Sequence, residues 1–344
     1  DLHPRVRRQR QMCIRDRYGT IVHYILERFF GEYTKEEYLS LEEDKFQKIV
    51  CAYLAEYAVK YFGEEQLESN SFTYRLKTIL DNVMYLMKHI MEELSQSEFF
   101  VADCELKIGE DIPSYTIVLP DGHKIAVCGS VDRVDIMQRA DITYLRIIDY
   151  KTGTKQFKLS DILYGINLQM LLYLHSIEAS GGDKYGEIVP AGILYMPATV
   201  PYISSDSLKS IDKLPDELNK KLKMNGLLLK DTEIIHGMDK TDAATYIPVK
   251  IKAGEPVSST SLATLAEFGK IFKKVDMLIA EMGKNIYNGN IEAKPLKGGH
   301  DSCEYCPYDS VCAYRQSNPI TCFSVDNKTV IEEITNEING KEEE

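Results

Sequence analysis

The chain has 344 residues, 44% of them hydrophobic, which is enough for a large core and one sizeable domain with insertions. Its formal net charge of −12 excludes a generic nucleic-acid coat but not an enzyme that grips DNA along a local basic track. Its eight cysteines lack the regular spacing of a disulfide framework. No apolar run approaches the roughly 18–20 residues of a membrane span, and no charged-then-apolar leader is visible, so a soluble cytoplasmic protein is expected.

In chain order, residues 1–17 stand apart, with six arginines and no lysine before a lysine-rich remainder. The string Met12-Cys13-Ile14-Arg15-Asp16-Arg17 resembles translated adapter sequence. This stretch is therefore expected to be an artefactual leader, and the rest a fragment lacking its own start. A helix over 18–31, ended by Gly31, carries His23. Residues 35–62 and 71–95 space their apolar side chains by three and four, so 35–95 is expected to be a helical insertion whose tyrosines pack. Alternation then takes over at 99–108, 114–119, 123–137 and 142–150, with Leu119-Pro120-Asp121-Gly122 as a hairpin turn. A long helix is predicted over 160–179, stopped by Gly181-Gly182, followed by a buried strand at Ala191–Met196. Residues 203–260 read as a polar surface elaboration with a short helix near 214–223, and 261–288 as a helix leading into a cysteine loop at 300–322. The Glu-, Asn- and Lys-rich tail 326–344 is expected to be disordered. That order predicts an α/β fold, a mixed sheet flanked by helices.

The chemistry concentrates in Gly129-Ser130-Val131-Asp132-Arg133-Val134-Asp135 and Ile148-Asp149-Tyr150-Lys151. Residues two apart in a strand share a face, so Asp149 and Lys151 emerge together with Tyr150 turned away. Two carboxylates beside an ammonium suit Mg²⁺-dependent phosphodiester cleavage, the carboxylates binding the hard cation through oxygen. Glu105 sits on an earlier strand-like stretch, while Gln169 and Tyr173, four apart, share a helix face. Arg146, Lys151, Lys155 and Lys158 supply a basic patch beside this site, and Asp135 is expected to support a turn or strand edge. Cys51, Cys104 and Cys128 lie in apolar runs and are expected to pack as small hydrophobes.

These parts, in this order from His23 to Tyr173, resemble the RecB-like branch of the PD-(D/E)XK nuclease superfamily. The pattern there is a G-x-x-x-H helix, an acidic residue, G-x-x-D-R-x-D, D-Y-K-T-G and a Q-x-x-x-Y helix. The resemblance implies a restriction-endonuclease-like core over 18–325. It implies that Asp132, Asp149, His23 and the Tyr150 carbonyl hold Mg²⁺ or Mn²⁺, and that Lys151 positions the attacking water. Glu105 would help hold metal or water, and Gln169 and Tyr173 would orient the scissile strand.

Near the C-terminus, Cys303, Cys306 and Cys312 form a C-x2-C-x5-C run. Such spacing converges soft thiolates on a metal; zinc is the default for four cysteines. The resemblance, closest to the C-terminal nuclease domain of AddB-type helicase–nuclease subunits, instead implies a [4Fe-4S] cluster with a fourth cysteine upstream. Only Cys13 is available there, in the segment set aside, so that ligand is expected to be missing. The implied partners are DNA ends and an AddA-type helicase–nuclease, with a role in double-strand break repair and recombination. Two other readings are weighed: a stand-alone exonuclease of the Cas4 type used in CRISPR adaptation, and a non-catalytic DNA-end-binding module with a structural metal. The former are shorter, and intact Asp132, Asp149 and Lys151 argue against the latter.

Overall fold

A helix of 29 residues, α1 (Pro4–Glu32), opens the chain in the computed structural model, which describes residues 4–153, 155–201, 214–241, 243–258, 260–304, 306–308, 311–312 and 319–342. It buries Ile21, Val22, Ile25, Leu26 and Phe29, the three-and-four spacing of one helix face. Helices α2 (Lys35–Leu39), α3 (Glu43–Phe62), α4 (Glu64–Leu67) and α5 (Asn70–Ser95) follow. Residues 35–95 are thus helical, and Tyr38, Tyr53 and Tyr57 are buried among them as packing residues. Thr34 starts α2 with a reciprocal capping box to Glu37, which satisfies two otherwise orphaned backbone donors.

The strands are β1 (Phe100–Ile108), β2 (Tyr115–Val118), β3 (Lys124–Val127), β4 (Gly129–Arg139) and β5 (Ile142–Lys151). β2 and β3 form the expected hairpin, with Gly122 at φ 87° in the turn. The run read as one strand over 123–137 is broken at Cys128, where the hairpin leaves and the main sheet begins. Next come α6 (Gln169–Ser180), α7 (Gly182–Tyr185), β6 (Glu187–Pro197), α8 (Leu214–Leu222), β7 (Asn225–Leu229) and α9 (Thr232–Met238). The chain continues through β8 (Lys250–Lys252), β9 (Glu255–Val257), β10 (Leu262–Ala263), α10 (Leu265–Tyr287), β11 (Leu296–Gly298), β12 (Ile320–Cys322) and α11 (Asn327–Glu342). The central sheet has six strands in the order β1-β4-β5-β6-β7-β10, and is mixed: β5 pairs β6 in parallel, while β1, β4 and β5 are antiparallel neighbours.

Three expectations are corrected. The single helix over 160–179 is a 3₁₀ turn (Leu159–Tyr164) followed by α6, separated at Gly165 (φ 68°) and Asn167 (φ 55°), whose left-handed backbone stops a helix. The segment 203–260 is more than a surface elaboration, because β7 lies inside the main sheet with Leu227 and Leu228 fully buried. Covered on both faces, that strand reads as a continuous apolar run instead of an alternating one. Residues 202–213 of it lie outside those described. The tail read as disordered from Asp326 forms α11, whose Val330, Ile334 and Ile338 are buried and whose Glu337 pairs with Lys274 of α10. Its apolar residues recur every four positions, a stripe that high charge content obscures.

Candidate active site

The last registered pair of β4 and β5 is Arg133 opposite Ile148. Beyond it the strands part, and the Tyr150 N–H donates to Asp132 Oδ2 (2.9 Å) instead of to a backbone carbonyl. Asp132 and Asp149 stand at this fork. An extended residue sends its N–H and C=O to the same strand edge, so the Tyr150 carbonyl also faces the Asp132 side. Its ring turns the other way, where the phenol accepts from Arg133 (3.3 Å). Asp149 and Lys151 share the opposite face, as the two-residue period requires, and their side chains form an ion pair.

On the neighbouring strand β1, Glu105 lies between the pairs Cys104–Arg133 and Leu106–Val131 but takes φ 51°, a left-handed backbone rare for a residue with a side chain. Glu105 thereby meets two partners, His23 Nδ1 at 2.7 Å and the Ser130 hydroxyl, which donates to it at 3.0 Å. His23 reaches in from α1, with Nε2 3.7 Å from Asp132 Oδ2. One donor atom each from His23, Glu105 and Asp132 lies within 4.8 Å of the others, a metal-sized set among the described residues.

The electrostatics favour a cation. Burial, reinforced by Asp149 and Glu105 against the pull of His23 and the Tyr150 N–H, pushes the Asp132 carboxyl up to about 6. The His23 hydrogen bond first, and then Ser130, hold Glu105 below the usual carboxylate range despite its burial. For His23, burial alone lowers the pKa, but the Glu105 hydrogen bond and the charges of Asp132, Glu105 and Asp149 together raise it. The buried Oδ2 of Asp149 accepts no well-directed hydrogen bond among the described residues. Crowded carboxylate oxygens with one imidazole fit a hard divalent ion such as Mg²⁺ or Mn²⁺.

Tyr173 of α6 explains the glycine that opens β4. A Cβ on Gly129 would lie 2.2 Å from the Tyr173 hydroxyl, so only glycine lets the phenol reach the strand three residues before Asp132. Gln169, exposed at the start of α6, directs its amide toward the same hydroxyl at 3.4 Å. The Gln-x-x-x-Tyr pair thus meets the start of β4, the strand that carries Asp132.

Behind the sheet lies a feature the sequence reading misplaced. Arg146, expected in the basic patch beside the site, and Asp135, expected to support a turn or strand edge, are both fully buried. Asp135 accepts from Arg133 Nε (2.7 Å) and Nη2 (2.7 Å) and from Arg146 Nε (3.0 Å) and Nη2 (2.9 Å), while Glu93 of α5 pairs with both arginines. Burial alone would raise the Asp135 carboxyl, but Arg133 and Arg146 hold it below the usual range. This quartet lies on the strand face away from Asp132, and it anchors α5 to β4 and β5.

Ser130 and Tyr195 are the site residues that the sequence reading passed over. Ser130 lies inside the recognised motif, where a hydroxyl one residue after the glycine is the available signal. Tyr195 of β6 pairs in register with Asp149 and lies under Lys155 (4.9 Å) and Lys151 (5.8 Å); nothing local marks it, because only sheet pairing brings β6 alongside β5.

The cysteine loop carries Cys303 and Cys306, half-buried, and Cys312, exposed, on successive turns: Cys306 N–H bonds to the Cys303 carbonyl and Cys312 N–H to the Tyr308 carbonyl. The Cys13 side chain lies outside the described residues; the loop over 300–322 also ends on a fourth cysteine, Cys322, buried on β12. Of the cysteines expected to pack as small hydrophobes, Cys51 and Cys104 are half-buried and Cys128 is exposed, at the break between β3 and β4. Burial pushes the Cys104 thiol up to about 12, as fits an inert packing residue.

The family model of the PD-(D/E)XK nuclease superfamily matches residues 3–313. The B-type subunit of an ATP-dependent helicase/deoxyribonuclease from Thermoanaerobacter sp. strain X514 is 38% identical over 246 residues, 70% of this chain and 21% of that protein. A protein of the same name from Alkaliphilus oremlandii is 32% identical, over 98% of this chain and 30% of its own length. Another, from Clostridium acetobutylicum, is 33% identical over 86% of this chain and 26% of its own length. The chain thus spans between 21% and 30% of these relatives. No helix among the described residues is long and apolar enough to cross a membrane.

Proposed function

Because the chain belongs to the PD-(D/E)XK nuclease superfamily, we propose that it hydrolyses DNA phosphodiester bonds as a Mg²⁺- or Mn²⁺-dependent exonuclease. The observation that carries this reading is the meeting of His23, Glu105 and Asp132 beside the Asp149–Lys151 pair at the strand fork. Asp132, Asp149, His23 and the Tyr150 carbonyl would hold the cation. When bound, it supplies Lewis acidity toward a phosphoryl oxygen and makes a bound water acidic enough to attack. Lys151, kept in place by Asp149, donates to the phosphate where negative charge grows. Glu105, fixed by Ser130 and His23, accepts a hydrogen bond from the attacking water. Gln169 and Tyr173 set the scissile strand against β4.

The relatives named as helicase/deoxyribonuclease subunits support the wider proposal: this is the nuclease domain of an AddB-type protein, acting in the cytoplasm with an AddA-type helicase–nuclease on double-strand ends during repair and recombination. Cys303, Cys306 and Cys312 are proposed to hold a [4Fe-4S] cluster with a cysteine from outside the loop, binding the C-terminal segment to the nuclease core. The test is degradation of linear DNA with Mg²⁺ by the wild type, Asp149→Ala and Lys151→Ala. Loss of one aimed electrostatic group costs on the order of 10²–10³ in rate, so both variants should be nearly silent with an unchanged circular dichroism spectrum. Wild-type rates in both would sink the assignment.

A further inference from the structure

Beside the catalytic lysine lies a concave surface that the chemistry above does not use. The cavity starting at Lys151, about 740 Å³, runs over residues 152–153 and 155–157 and Tyr195 to the end of α8, and Lys155, Lys220, Lys221 and Lys223 line it. A second cavity of about 600 Å³ shares Lys220 and Lys223 with the first and continues to Lys250 and Lys252 on the β8–β9 hairpin. Neither has an aspartate or glutamate among its described lining residues. Seven lysines thus line the two cavities in a chain of net charge −12; Lys151 pairs with Asp149, Lys220 pairs with Glu217 and Lys252 stands opposite Glu255, but none of these acids is among the described lining residues.

The walls are built. Asn225 holds the 155–157 loop from both sides, accepting from the Phe157 N–H (2.7 Å) and donating to the Lys155 carbonyl (3.0 Å). Lys223 spends its ammonium on the carbonyls of Ala244 and Val249 and so fixes the floor between the two cavities. Lys221, Lys250 and Lys252 are exposed, and the two hairpin lysines share one face by the two-residue period.

We propose that these joined cavities form a binding path for single-stranded DNA, which enters or leaves the active site at Lys151 and reaches the β8–β9 hairpin at Lys250 and Lys252. The inference rests on the nuclease reading for its substrate class. Ammonium groups at intervals along a groove suit a phosphate backbone. A concave path that turns from β5 past α8 to a hairpin suits a strand with rotatable bonds, whereas a stiff duplex cannot follow it.

The test measures binding of the chain to a fluorescein-labelled oligothymidylate longer than ~16 nucleotides, with Ca²⁺ replacing Mg²⁺ so that binding is read without turnover. Each phosphate contact on a single strand contributes about 0.7 to the slope of log K against log salt, so Lys250→Gln with Lys252→Gln should lower the slope by about 1.4. Lys250→Arg with Lys252→Arg should keep the wild-type slope, and so should Lys45→Gln with Lys48→Gln, an equal charge loss on the exposed face of α3. An unchanged slope in the hairpin glutamine variant overturns the path. An equal fall in the α3 variant also overturns it, as general charge attraction. Wild-type preference for a duplex of the same length overturns the single-strand assignment. A wild type that binds along the path but never cleaves with Mg²⁺ defeats the nuclease reading and leaves the path standing.

Discussion

Replacing Asp135 by asparagine should destabilise the protein severely without touching the catalytic face. Asp135 accepts four hydrogen bonds from two guanidinium groups, and it, Glu93, Arg133 and Arg146 are all inaccessible to water. The quartet balances two negative charges against two positive ones. Asparagine keeps the volume but strips one charge and turns an amide N–H₂ toward the arginines, leaving a net buried positive charge. Removing one partner of a buried ion pair costs about 3–5 kcal/mol, because the remaining charge can neither pair nor hydrate. For a large domain, roughly 2 °C of melting temperature accompanies each kcal/mol, so the midpoint should fall by about 6–10 °C. Adding Arg146→Met restores neutrality, with Glu93 facing Arg133, and should recover at least about 1 kcal/mol as a coupling energy. Urea unfolding of wild type, both single variants and the double variant, followed by circular dichroism, measures both quantities. A single-variant loss below about 1 kcal/mol, or strict additivity in the double variant, refutes the claim that these four charges act as one buried unit.

Gly129→Ala should leave the fold intact but depress cleavage about as much as Tyr173→Phe or more, because the new methyl displaces the phenol whose hydroxyl would lie 2.2 Å from it; unimpaired turnover in Gly129→Ala would remove Tyr173 from the site. His175, between Asp276 (3.2 Å) and Glu178 (3.4 Å), has its pKa raised to about 9, its burial outweighed by the two carboxylates. A histidine raised in the folded state contributes its stability fully below the unfolded value of about 6.5, and that contribution declines until pH passes 9. Unfolding free energy should therefore drop between pH 6.5 and 9 by an amount on the order of 3 kcal/mol more in wild type than in His175→Phe, whose remaining slope comes from other groups such as His23. Mg²⁺ should raise the melting temperature of the wild type and not of Asp132→Asn, since only a folded-state ligand shifts the midpoint; an equal shift in both would place the ion elsewhere. The AddB-type protein proposed above, purified anaerobically, should contain iron and sulfide that Cys306→Ser loses; zinc without sulfide would make the loop a zinc clasp instead.

Local chemistry made much of this protein legible in one dimension. Asp149 and Lys151 must share a face because strands have a period of two, the 35–95 helices announce themselves by their apolar spacing, and five short motifs in fixed order point to one family. What the tertiary structure alone decided is where non-local pairing puts charge and backbone. Arg146 looks like a surface cation until the register sets it opposite Asp135, beneath Glu93 of a helix some fifty residues away. Lys250 and Lys252 look like hairpin decoration until α8 carries their cleft to Lys151. Glu105 reads as an ordinary strand residue, yet its φ of 51° and its contacts with His23 and Ser130 arise from two other elements. β7 and α11 show up only in the fold, each for its own reason: burial on two faces removes the strand's alternation, and a helix rich in charge hides its apolar stripe until a partner covers it. Periodicity is a property of the backbone and travels with the sequence, whereas burial and pairing belong to neighbours that only folding supplies.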